Sequence, residues 1–174
     1  MRVLVVCHAN VARSVAAAHL LVGAVDERGT TIELATAGTH ATTGQPVSAR
    51  TSAALAATLG SAVALGAHRA HQLTEGDLDA ADVVVAMEAA QVRAVRRAHP
   101  PAAGKVASLA LLARELPRDP RPVAVRVASM HLADREPDDD DDVVDPAGGD
   151  DDAYAAVIAA LVELCGELSD RLGG

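Results

Sequence analysis

The chain has no tryptophan, no phenylalanine and a single tyrosine, Tyr154, among 174 residues. Surfaces that grip single-stranded nucleic acid stack bases on aromatic rings. Here the rings are missing and no basic stripe stands out, so nucleic-acid binding is not expected. Cysteine is almost as scarce. Cys7 and Cys165 lie far apart in sequence and cannot build a disulfide framework, which makes a reduced, cytoplasmic setting the default expectation. Cys165 falls in an amphipathic C-terminal pattern and reads as a packed, inert thiol. No apolar run is long enough to span a bilayer, so membrane insertion is not expected. The first residues lack a basic stretch followed by a long apolar segment and a small-residue cleavage site, so no secretory signal is expected either.

What is present suits one domain over residues 1–174, with half the residues hydrophobic. The net charge of −9 is unevenly spread. Residues 134–152 hold ten aspartates and one glutamate against one arginine, so the rest of the chain is close to neutral. A block such as Asp138 to Asp142 is expected to be a solvated, mobile loop rather than a metal or partner site. The sequence points to no metal and no cofactor, and it leaves the oligomeric state open.

Strand-like and helix-like patterns alternate along the chain. Apolar, β-branched runs at Arg2–Val6, Thr31–Thr36, Asp82–Met87 and Lys105–Leu109 predict strands. Helical periodicity fits Ser14–Val25, Pro46–Leu59, Glu75–Ala80, Glu88–Ala98 and Asp151–Leu172. Such alternation predicts an α/β fold, a doubly wound sheet of about four parallel strands with helices on both faces. Ligands of such folds bind beyond the carboxyl ends of the strands. The stretch from Pro117 to Asp150 is proline-dotted and then acidic, and reads as a long loop, either a lid or partly disordered.

The most informative stretch is VLVVCHANVARS, from Val3 to Ser14. A strand ending at Val6 delivers Cys7 to the edge of the sheet. A helix starting near Arg13 turns its free N–H groups and its positive dipole end back toward the sulfur. These surroundings favour the nucleophilic thiolate over the thiol. The same N–H groups, with the Arg13 guanidinium, suit a tetrahedral oxyanion such as phosphate. His8, Ala9, Asn10, Val11, Ala12 and Arg13 would form that cradle, with Cys7 at its floor, and the combination suggests phosphoryl transfer to sulfur. A Cys–Arg spacing of six arises by chance in roughly one such sequence in six, so the flanking strand, helix and Ser14 carry much of the weight. The chemistry also needs a proton donor for the leaving oxygen, and Asp145, stiffened by Pro146, is one candidate among many aspartates.

Taken together, VCHANVARS (6–14), TAGT (36–39), AHRAHQLT (67–74), ADVVVAME (81–88) and VDPAGG (144–149) resemble the low-molecular-weight protein-tyrosine-phosphatases, in the family's order and at its approximate spacings. The resemblance implies a phosphoric monoester hydrolase acting on phosphorylated protein through a cysteinyl-phosphate intermediate, without metal or cofactor. It implies that Cys7 is the nucleophile, Arg13 the phosphate clamp, and Asp145 the general acid and then base. Ser14 would donate its hydroxyl to the thiolate. Asn10 would hold the strained turn of the loop in a network with Thr36 and His68. His8, His40 and His71 match no fixed role in the pattern.

There are departures from that pattern. Ala9 stands where the family usually has glycine, which removes freedom at positive φ. Ala12 replaces a second cysteine, Val15 a proline, and Ala147 an aromatic residue. With tryptophan absent, the walls of a phosphotyrosine pocket would be Val11, His8, His40 and aliphatic atoms. A β-branched aliphatic residue such as Val11 accompanies tyrosine phosphatases in the bacterial branches, whereas the Asp-Pro-x-Gly-Gly stretch resembles the protein-arginine phosphatases. Phosphotyrosine is the favoured substrate, with phosphoarginine as the alternative. A thiol-dependent arsenate reductase and a catalytically weakened phosphate-binding module are the rivals from other classes.

Overall fold

The computed structural model describes residues 1–26 and 31–173. Four parallel strands, β1 (Arg2–Cys7), β2 (Glu33–Gly38), β3 (Val83–Ala86) and β4 (Val106–Ser108), lie in the order β2-β1-β3-β4. Their side chains explain why the sheet is parallel and covered on both faces. The central strands read VLVVC and VVVA, with no polar alternation to leave one face to water. Val3, Val5, Cys7, Val83 and Val85 point into one apolar cluster, and Leu4, Val6, Val84 and Ala86 into the other.

The first cluster is roofed by α1 (Arg13–Asp26), α2 (Ala49–Leu59), α5 (Leu109–Glu115), α6 (Val123–Ala128) and α7 (Asp151–Leu172). The second is covered by α3 (Glu75–Ala80), α4 (Ala89–Ala98) and a 3-10 segment at Pro100–Lys105. The expected alternation is therefore observed. From β2 the chain crosses over β1 to reach β3 on its other side, so the sheet's switch point lies at the carboxyl end of β1, where Cys7 sits.

The differences are local. The second strand lies two residues later than its β-branched residues predict, because pairing fixes Arg2 against Glu33 and Cys7 against Gly38. Two helices form where none was expected. Ser108 accepts a hydrogen bond from the Leu111 N–H and so starts α5 immediately after β4. Within the stretch read as a long loop, 117–150, α6 forms around buried Arg126. Its Nη1 donates to Pro117 O at 3.1 Å and its Nη2 to Leu172 O at 3.1 Å, tying this segment to the end of α7.

The acidic run also departs from expectation. Asp138, Asp139 and Asp140 are exposed, but Asp141 is buried, accepting from Ser108 Oγ at 3.2 Å and from Arg114 Nη1 at 2.7 Å. Asp142 Oδ1 accepts from the Ala89 N–H at 2.6 Å and caps α4 from 53 positions away. The block is pinned at its carboxyl end because two of its charges find donors at element termini.

Candidate active site

Cys7 is the last residue of β1, and the chain from His8 to Ala12 turns beneath the start of α1. The turn depends on Asn10, buried and held at φ +56°, a conformation that asparagine tolerates better than most residues. Its side chain is saturated. Oδ1 accepts from the His71 N–H at 2.9 Å and Nδ2 donates to Ser14 Oγ at 2.9 Å. Its carbonyl accepts from His68 Nε2 at 2.8 Å, and its own N–H donates to Cys7 Sγ at 3.3 Å. Ser14 Oγ, which accepts from Asn10, lies 3.1 Å from Cys7 Sγ and can give its own proton to the sulfur when the sulfur is a thiolate. The sulfur thus meets a polar partner from two directions, the Asn10 N–H and the Ser14 hydroxyl.

Gly38 closes the loop from the β2 side. A Cβ there would meet His8 O at 2.6 Å and the Asn10 nitrogen at 2.9 Å, so only glycine lets the two segments approach this closely. The approach is sealed by Thr39 N–H donating to Cys7 O at 2.9 Å and His40 N–H to His8 O at 2.8 Å. It also brings the rings of His8 and His40 into a stack, 4.6 Å between centroids, at the exposed rim.

Arg13, at the first turn of α1, is almost fully buried. Its Nη1 donates to Glu88 Oε1 and to Val143 O, the latter at 2.9 Å, and its Nη2 donates to Asp145 Oδ2. Glu88 is itself held. Gln91 Nε2 donates to Glu88 Oε2 at 2.9 Å, while Gln91 Oε1 accepts from the N–H groups of Met87 at 2.9 Å and Glu88 at 3.2 Å, in a capping box at the start of α4. Asp145 Oδ1 accepts from the Ala147 N–H at 3.0 Å, and Val143 N–H bonds Met87 O at 2.8 Å. One guanidinium therefore joins the loop, the β3–α4 junction and the distant Asp-Pro segment.

Cys7, Asn10, Ser14 and His68 are joined in one hydrogen-bonded network, and Arg13 and Asp145 in a second that starts from the residue next to Ser14. Thr36 is a correction. It stands in the body of β2 opposite Val5, and among the described residues no side-chain hydrogen bond links it to Asn10. The backbone of His71 occupies the role expected of it. Ala9 is another correction. Among the described residues only Asn10 and His131 combine a side chain with positive φ, so alanine at position 9 requires no strained conformation. Glu88 and Gln91 were not anticipated, although the Glu-x-x-Gln spacing at the start of a helix is legible as a capping box. Cys165 is buried in α7 against Ala17 O, and burial pushes its thiol up to about 12, as suits a packed, unreactive cysteine. Burial, with Glu88 nearby, holds the Asp142 carboxyl above its ordinary value. Among the described residues no group of His, Cys, Asp or Glu side chains converges to hold a metal ion.

The family model described as low molecular weight phosphotyrosine protein phosphatase matches residues 2–120. The chain belongs to this family. The match ends before Asp145, so the convergence of this phosphatase's late Asp-Pro segment on Arg13 is a finding of the structure. Solved structures agree along the whole fold. A YwlE mutant from Bacillus subtilis is 24% identical with a TM-score of 0.78, covering 100% of this chain and 99% of that one. YwlE arginine phosphatase from Geobacillus stearothermophilus is 26% identical, TM-score 0.74, over 98% and 92%. A low molecular weight protein tyrosine phosphatase from T. tengcongensis is 27% identical, TM-score 0.76, over 97% of each chain. Comparison with curated proteins finds no match.

Proposed function

We propose that this phosphatase hydrolyses phosphotyrosine in proteins through a cysteinyl-phosphate intermediate. The observation that carries this reading is that the hydrogen-bonded sulfur of Cys7 at the carboxyl end of β1 and the guanidinium of Arg13 that holds Asp145 belong to one loop and the helix turn that follows it, with Ser14, a partner of Cys7, adjacent to Arg13 in the chain. In the first step Cys7 Sγ attacks phosphorus. The S–P bond forms, the P–O bond to the tyrosine breaks, and the protonated Asp145 carboxyl gives its proton to the leaving phenolic oxygen. The equatorial oxygens are held by loop N–H groups and by the Nη2 side of Arg13, which exchanges Asp145 for phosphate while Glu88 retains Nη1. In the second step Asp145, now a carboxylate, takes a proton from water as the water oxygen attacks phosphorus. Inorganic phosphate leaves and the electron pair of the S–P bond returns to Cys7, where the Ser14 hydroxyl and the Asn10 N–H receive it.

The stacked His8–His40 rings and Val11 at the rim offer flat and apolar surface to a phenyl ring, which supports phosphotyrosine. Phosphoarginine is the second reading. It is favoured by the similarity to an enzyme described as an arginine phosphatase. A panel of phosphopeptides differing only in phosphotyrosine, phosphoarginine or phosphoserine decides between them. The phosphotyrosine peptide is expected to show the highest kcat/KM, and a preference for phosphoarginine overturns the assignment. A Cys7→Ser variant that turned over any of them would overturn the covalent route.

A further inference from the structure

Against Asp145 lies a concavity that the hydrolysis does not use. Its floor is one stripe of α7, with Ala153, Ala156, Val157, Ala160 and Leu164, and its wall is the segment 142–146 together with Gly149. The space is about 330 Å³, within the usual range for ligand sites, and its lining is overwhelmingly apolar. Asp145 belongs to both places. Its carboxylate binds Arg13 on one side, and its residue edges the groove on the other. Next to it Val144 is 73% exposed, the most exposed large apolar residue described. Carboxylates border the opening, since Asp142 and Asp145 both line it.

We infer that this groove is a substrate subsite. It receives an apolar side chain of the phosphoprotein close in sequence to the phosphorylated residue, in a segment that also carries lysine or arginine. The inference rests on the phosphatase reading above. Continuity identifies the occupant. A polypeptide whose phosphoryl group sits on Cys7 must run past Asp145, and the groove begins at that residue. Charge identifies its flanks, since an apolar patch edged by carboxylates selects against acidic segments and attracts basic ones. The groove is too apolar to be left to water without consequence, and closing it over a leucine-sized side chain adds affinity that a small aryl phosphate cannot use.

The test uses the full chain and a set of lysine-containing phosphotyrosine peptides. In the set a single leucine is moved from three residues before to three after the phosphotyrosine, with a serine-only peptide as reference. Para-nitrophenyl phosphate serves as the substrate that cannot reach the groove. One leucine position is expected to raise kcat/KM by at least about 10-fold, chiefly through KM, as filling an apolar pocket does. Two variants at exposed positions of α7 block the groove by different means, Ala156→Glu by charge and Ala160→Leu by volume. Both are expected to erase the leucine preference and to leave para-nitrophenyl phosphate kinetics unchanged. Absence of a preference in the parent chain, or its survival in both variants, overturns the subsite. So does sedimentation showing that a second copy fills the groove, through a dimer that Ala156→Glu dissociates while the leucine preference persists. Failure of the parent chain to hydrolyse para-nitrophenyl phosphate is a separate result, and it removes the phosphatase reading itself.

Discussion

Arg13 is the residue through which most of the site is wired, and it shows how a single side chain can be legible in sequence while its partners are not. The Cys–Arg spacing and the following helix expose Arg13 at once, whereas Glu88 and Gln91 lie about 75 positions away and meet it only after the sheet has formed. Asn10 was legible only through the family resemblance, and its positive φ supplies the physical reason for its place in the turn. Thr36 was misplaced because strand register, which pattern does not set, puts it two residues short of the loop. Arg13→Lys keeps the charge but loses the planar fork, and kcat is expected to fall by at least ~10²-fold. Glu88→Gln leaves a hydrogen-bond acceptor but weakens the hold on Nη1. Because slight misplacement of a positioned group costs up to ~10²-fold, a loss of about 10-fold in kcat is expected, with KM moving less. Steady-state kinetics check both, and a Glu88→Gln enzyme equal to the parent would make Glu88 a structural cap only. For Asp145 the leaving group is the discriminating probe. Asp145→Asn should slow phenyl phosphate strongly and para-nitrophenyl phosphate less, because only the poorer leaving group needs the proton. Equal slowing of the two would remove Asp145 as the acid.

At the scale of elements, the central strands and the longer helices were readable because apolar runs and 3.6-residue periodicity survive into the fold. The misses share a cause in tertiary contacts. In α6 the β-branched run Val123, Val125 and Val127 favours a strand, yet Arg126 docks on the last carbonyls of α7 and fixes a helical turn. Asp142 is the clearest case of a charge that composition assigns to solvent and the fold assigns to a helix terminus. It accepts from the first N–H of α4, while burial holds its carboxyl above the ordinary value. A carboxyl whose folded value is raised weakens the folded state at neutral pH, and that loss is recovered as pH falls through the raised value. Asparagine keeps the acceptor and removes the charge. Asp142→Asn is therefore expected to melt at least as high as the parent at pH 7, with any advantage shrinking as pH falls toward 4. Asp142→Ala, which leaves the N–H of Ala89 without its cap, should lose about 1 kcal/mol. Thermal melts at pH 7 and pH 4.5 compare them, and a loss in the asparagine variant as large as in the alanine variant would show that the charge itself is needed.

For the molecule as a whole, the decisive feature is that the net negative charge is gathered entirely in residues 134–152, around the one carboxylate assigned to catalysis. Such a field opposes the approach of any dianionic substrate and favours a basic polypeptide carrying one phosphoryl group, so it sorts substrates before contact is made. Asp141 cannot be used to test this, since it holds Ser108 and Arg114 and its removal would disturb the fold. Asp139 and Asp140 are exposed, and among the described residues Asp139 pairs with the partly exposed Arg93 while Asp140 has no ion-pair partner. The double variant Asp139→Asn, Asp140→Asn should therefore leave kcat unchanged on every substrate. At low ionic strength it should raise kcat/KM for para-nitrophenyl phosphate severalfold and lower it for a lysine-flanked phosphopeptide. Both differences should fade as salt shortens the screening length to about 10 Å near 0.1 M. Opposite signs on the two substrates are what separate a field from a local contact, because a disturbed Asp145 would slow both alike at any salt concentration.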